Sequence, residues 1–221
     1  MKISRAALAV VGASALLVGT MAGPAMADTN VSIYGGTTTI TTTAKALPTI
    51  TKAGIIMSGV DSATSNYVTK TGEARQQFAF GIVTPSNLML EDDPVTNVVG
   101  SITGGKVAHN GSVHFLNTNN GKVVDVGNFS VNLNKMKVYA TKLNGDPIAP
   151  LAVFNVVPVE TPLYPTYDND TTPTMATVSG INLVMTGSGA DALNGALGTK
   201  VFAGGLKFGK AVAVAELLPP T

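Results

Sequence analysis

Side chains able to do chemistry are few and scattered along this chain. It holds two histidines, no cysteine and no tryptophan. His114 lies in Ser112-Val113-His114-Phe115-Leu116. Strand alternation puts Val113 and Phe115 on one face and His114 on the other, toward solvent or a site. His109 adjoins Asn110-Gly111 and reads as an exposed turn residue. There is no G-x-S-x-G elbow, no H-E-x-x-H helix and no thiol nucleophile. Gly187-Ser188-Gly189-Ala190-Asp191-Ala192 matches the G-x-G-x-x-A dinucleotide pattern. That fingerprint works at the start of a strand–helix–strand unit with an acidic residue about 20 positions on. Just 29 residues follow Ala192, so these glycines read as a tight turn. Asp168-Asn169-Asp170 and Glu91-Asp92-Asp93 offer the hard oxygen ligands calcium prefers, without the glycine and distal glutamate of an EF-hand. Both read as solvated loops. Paired carboxylates could hydrolyse a glycoside. However, aromatics make up 5% of the chain and there is no tryptophan to stack on a sugar. The expectation is no catalytic set, no metal site and a protein that is not an enzyme.

The elements that must position these residues read as strands. Asn30 to Thr43 is rich in β-branched residues, which resist helix and favour pleated sheet. Phe78, Phe80 and Ile82 alternate on one face of a half-buried strand. Ser112–Leu116 and Lys122–Val126 flank Asn117 to Gly121 as a hairpin, with Asn120-Gly121 supplying positive φ. Phe129–Leu133, Lys137–Leu143 and Ile148–Val157 continue the strands, and Asn144-Gly145 turns the last two. Ala44–Leu47 and Ala190–Leu197 are short helical stretches, and Asp61 could cap another. Pro85 to Asn97 reads as a polar surface loop, and residues 158–173, with four prolines, as a long loop or linker. The fold expected is all-β, an antiparallel sandwich or partly closed barrel with one or two short helices.

Charge and export narrow the function further. Lys2 and Arg5 precede an apolar run from Ala6 to Val18, and the segment ends Ala25-Met26-Ala27. That is the layout of a secretory signal peptide over residues 1–27. The run falls short of the roughly 20 apolar residues of a spanning helix. The remaining Asp28–Thr221, 194 residues, suits a single β-rich exported domain with no transmembrane segment. Losing Lys2 and Arg5 leaves 12 of the 14 basic residues against 13 acidic ones, with Arg75 the sole arginine. Such a surface has no cationic cluster for nucleic acid. Without cysteine, the domain relies on its core alone. Leu218-Pro219-Pro220-Thr221 resembles the start of a sortase signal, without its glycine, apolar span and basic tail.

One set of spacings resembles a known family. Gly59-Val60, six residues, then Tyr67-Val68 is similar to the G-V-x6-Y-V segment of HtaA-type domains, exported actinobacterial haem-uptake modules. The resemblance runs on through Phe78-Ala79-Phe80, Gly104-Gly105-Lys106-Val107 and Gly111-Ser112-Val113-His114-Phe115, to Leu133, Val138 and Ala140. It covers roughly Gly59 to Gly145. The resemblance implies haem as cofactor, held by a tyrosine phenolate on ferric iron, with Tyr67 in the ligand position. The family's partner histidine falls here near Asn117 or Thr118, and its tryptophan at Ser58; His114 is the nearest imidazole.

Two readings follow. The first is a non-enzymatic protein, secreted or held at the cell envelope, that binds an envelope component or a second copy of itself. The second is a haem-binding module using Tyr67 and His114.

Overall fold

The computed structural model describes residues 28–92, 99–160, 163–168 and 174–217. The expected signal peptide over 1–27 and the chain end 218–221 lie outside the described residues. So do 93–98 and 169–173.

Twelve strands and two short helices make up the described chain. In order they are β1 (Asp28–Thr42), α1 (Ala46–Lys52), β2 (Ile55–Val60), β3 (Thr64–Lys70), β4 (Glu73–Asp92), β5 (Val99–His109) and β6 (Ser112–Asn117). There follow β7 (Val123–Asn132), β8 (Lys137–Leu143), β9 (Asp146–Pro158), β10 (Thr166–Tyr167), β11 (Met175–Met185), α2 (Gly187–Leu197) and β12 (Lys207–Leu217). The class is all-β and every strand pairing is antiparallel.

The strands form one sheet in the order β2-β6-β7-β5-β4-β1-β12-β11-β9-β8, and β8 pairs again with β7. The sheet therefore rolls into a ring of eight strands, β7-β5-β4-β1-β12-β11-β9-β8. Its shortest seam is β5–β7, three residue pairs from Lys106–Asn132 to Ala108–Ser130. Strand β7 forks there, because its first half pairs instead with β6. Strands β6 and β2 thus leave the ring as a flap, and β3 hangs on the start of β4.

Alternation fills the ring. Thr38, Ile40 and Thr42 of β1 face inward opposite the buried Phe78 and Phe80 of β4. Phe80 meets Phe129 edge-on at 5.3 Å, and Phe154 meets Phe208 at 5.0 Å. Such ring pairs add about 1 kcal/mol beyond the area they bury. A second cluster, with Ile33, Leu88, Leu90, Leu133 and Leu217, packs beside the main core. Helix α1 lays Ala46, Leu47 and Ile50 on the main core, and its Pro48 sits in the first turn, where no N–H is required. Helix α2 adds Ala190, Leu193 and Leu197.

Three local expectations are corrected. Pro85 to Asp92 is not loop: β4 runs 20 residues to Asp92, past a cis Thr84-Pro85 bond and a register shift between Val83 and Asn87. Polar residues misled there because one face of this stretch looks outward. Asp61 does not cap a helix; it adopts φ 59° in the turn before β3. The glycines at 187 and 189 do not make a tight turn but open α2, whose cap is Thr186, its side chain accepting from Gly189 N at 2.9 Å. Gly189 is needed for closeness: a Cβ there would lie 2.8 Å from Val153 Cα. Within 158–173, Leu163 is buried and bridges Ile102, and β10 joins β11.

Candidate functional site

The outer face of β2, β6 and β7 gathers the side chains that could meet a ligand. Antiparallel neighbours directly opposite each other share a face. Register places Ser58 opposite His114 and His114 opposite Asp125. Inward partners on the same strands, Met57, Val113, Phe115, Val124 and Val126, are buried, so this polar row points out. His114 Nδ1 and Asp125 Oδ1 are 2.6 Å apart, which fixes the ring's orientation. Next to the polar row runs an apolar one: Ile56 opposite Leu116, and Leu116 opposite Val123. Ile56 is 49% exposed and Val123 50%, so the pair stands open on the surface.

Asp61 anchors the far end of this face. Its Oδ2 accepts from Ser112 Oγ at 2.7 Å and from Lys142 Nζ at 3.1 Å. The Ser112 hydroxyl, with Lys142 second, holds the Asp61 carboxyl below the usual carboxylate range. Ser112 is buried against Gly127, where a Cβ would lie 2.0 Å from Ser112 Oγ. Ser112 is therefore a structural hydroxyl. The row Ser58–His114–Asp125 has the residue types of a nucleophile, base and acid. Its geometry does not complete the set. The imidazole bonds to Asp125, and no hydrogen bond joins it to Ser58. The amide following Ser58, which an acyl-transfer site needs for the oxyanion, donates to Ser65 Oγ at 2.9 Å.

Tyr67 lies apart from His114. It is 63% exposed on β3, with no hydrogen-bond partner for its phenol among the described residues. Its opposite residue is the buried Gln76, so Tyr67 continues the inward face of the sheet beyond the core, while His114 stands on the outward face. The structure does not bring the two together on one face. The positions near which the resemblance expects a histidine, Asn117 and Thr118, hold the hairpin to its neighbours. Asn117 Nδ2 donates to Leu197 O at 2.9 Å, and Thr118 Oγ1 to Gly54 O at 2.8 Å.

His109 is not an exposed turn residue. It is 5% exposed, faces into the ring opposite Ile82, and its Nε2 is 2.7 Å from Thr38 Oγ1. Burial pushes its pKa down to about 4, opposed in part by the nearby carbonyls of Phe129 and Val107. Neither carbonyl gives Nδ1 an aligned hydrogen bond, and that nitrogen has no partner. Both residues line a cavity of about 100 Å³ in the ring. The sequence signal was present: Val107 and His109 alternate in phase with an inward face. The adjoining Asn110-Gly111 outweighed it.

The acidic groups serve structure. Asp168 accepts from Thr174 N at 3.0 Å, Thr174 Oγ1 at 2.5 Å and Met175 N at 2.9 Å, bonds that lower its pKa and tie the loop ends together. Glu91 accepts from Ser101 Oγ at 2.9 Å. Asp93, Asn169 and Asp170 lie outside the described residues. Among the described residues no three His, Asp or Glu side chains gather as a metal site would require.

No protein-family model matches the chain, and no curated protein matches it. Among solved structures, it is similar to the C-terminal domain of HtaA from Corynebacterium glutamicum. Identity is 15%, coverage is 85% of this chain and 99% of that one, and the TM-score is 0.46.

Proposed function

We propose that the protein is a non-catalytic binding module, exported and acting at the cell envelope, which engages an envelope component through the outer face of β2, β6 and β7. The observation that carries this reading is the pair of adjoining rows on that face. The exposed Ile56 and Val123, with the half-buried Leu116 between them, supply apolar contact. Beside them, His114 and Asp125 supply polar groups that orient each other, with Ser58 next in the row. Apolar centre next to polar rim is the makeup of a binding surface. The engaged Gly59 amide and the buried Ser112 hydroxyl argue against acyl transfer. No described helix is long and apolar enough to cross a membrane. The signal-peptide pattern supports export.

Pelleting of the purified protein with isolated cell envelopes tests the reading. The wild type should pellet with them, and Ile56→Asp/Val123→Asp should stay in solution while keeping its melting temperature. Equal pelleting of both would remove this face as the binding surface.

A second reading is haem binding at Tyr67. It rests on the sequence resemblance and on the exposed, unpartnered phenol of that residue. Phenolate ligation suits ferric haem. The geometry gives this ligand no help from His114, which faces the other way. Titration with ferric haem should give a Soret shift that Tyr67→Phe abolishes; a shift that survives the substitution excludes Tyr67 as ligand.

A further inference from the structure

One wall of the ring is built from smaller side chains than the rest. Three successive inward positions of β12 hold Ala211, Ala213 and Ala215, while every other apolar side chain lining the interior is Val, Leu, Ile or Phe. A ring of eight strands is just wide enough for ordinary side chains to fill it, or to hold one small ligand. Three alanines in line leave that wall short by several methyl groups. Register sets Ala213 opposite Thr38 of β1 and Val178 of β11, and Ala211 opposite Ile40 and Ile181. These neighbours line the same space without closing it. A cavity of about 100 Å³ remains, bordered by all eight ring strands. Close-packed interiors keep few voids larger than a water molecule.

The chemistry of the walls selects what enters. Thr38 and His109 are the two polar residues of the lining, and they engage each other, Oγ1 to Nε2 at 2.7 Å. The other imidazole nitrogen is buried, and the carbonyls of Phe129 and Val107 face the ring. No hydrogen-bond donor is therefore presented to a guest. A water in this space would lack the two to four polar partners it requires. A hydroxyl or carboxyl group would lose its hydration with nothing to replace it. Apolar cavities of this kind stay dry and accept hydrocarbons, and benzene occupies one of about 150 Å³. In proportion, about 100 Å³ suits about four or five carbon atoms. We propose that the ring interior is a binding site for a small free hydrocarbon, held by dispersion and burial alone against the alanine wall of β12.

The test sets n-pentane against 1-butanol, two chains of equal length, each titrated into the purified protein and followed by methyl NMR. n-Pentane should bind saturably and show nuclear Overhauser contacts to the methyl groups of Ala211 and Ala213. It should bind at least about tenfold more tightly than the alcohol, whose hydroxyl finds no partner inside. Ala213→Leu fills the space and should weaken n-pentane at least about tenfold while the melting temperature holds. If that variant does not fold, the wild-type contacts decide alone: they are expected at Ala213, and their absence overturns the proposal. Equal binding of the two probes, undiminished binding by folded Ala213→Leu, no saturable binding, or contacts confined to the exposed Ile56 and Val123 would each overturn it as well.

Discussion

His109 gives the domain a pH dependence of stability that can be read directly. The folded protein keeps this imidazole neutral down to about pH 4, whereas an ordinary histidine takes up its proton near 6.5. Stability from this group is therefore complete above about pH 6.5. It falls as the pH drops and is gone by about pH 4, for a total of about 3 kcal/mol. Urea denaturation between pH 7 and 4 should record that loss, and His109→Gln should flatten it. At the outer face, His114 stands on the opposite side of the sheet from Tyr67, so Tyr67→Phe should leave the imidazole NMR signals of His114 in place. A shift there would mean that the two residues meet. Both placements depended on which way a strand faces at its end. Neighbouring turn residues pulled His109 toward solvent on paper, while its phase with Val107 pointed inward. That phase was the better guide because burial of the apolar face sets the register.

At the scale of elements, close backbone approach fixes the site. Gly127 lets β6 lay the Ser112 side chain across β7, and this positions the Asp61 turn. Gly127→Ala should cost about 2 kcal/mol through the forced shift, measured as a fall in the urea midpoint with unchanged slope. Helix α2 depends on its cap. Thr186→Ala removes the acceptor for Gly189 N and the hydroxyl that donates to Ala152 O, and should cost about 1 kcal/mol. The hairpin at Asn120-Gly121 and the alternating strands from Ser112 to Val157 were legible because turn residues and period-two patterns agree there. The length of β4 was not. A strand that serves two neighbours in turn, β3 and then β5, exposes polar residues along part of its course, and local composition reads that as loop.

The whole molecule is one rolled sheet whose ring closes by a short seam. All-β class and antiparallel pairing followed from composition and alternation. The choice between a sandwich and a partly closed ring did not, because pairing between β7 and β8 on one edge and β5 on the other is a matter of long-range register that no local pattern encodes. Openings should follow the same geography. With three residue pairs, β5–β7 should exchange its amide hydrogens sooner than β1–β12, which pairs from Ile33–Leu217 to Thr42–Gly209. Lys106 and Ala108 donate instead to Asn87 and Ser86 of β4, so Val107, opposite Val131, reports the seam, and slower exchange there would mean that the ring is tied more firmly than its pairing indicates. The flap of β6 and β2 leaves the ring beside this seam and carries the face proposed to bind. Hydroxyl-radical footprinting of the protein on isolated envelopes measures contact at that face side chain by side chain. Ile56, His114, Leu116 and Val123 should be protected while the exposed Tyr34 and Val159 stay reactive. Protection confined to Tyr34 or Val159, with the β2–β6–β7 face still open to oxidation, would contradict the account.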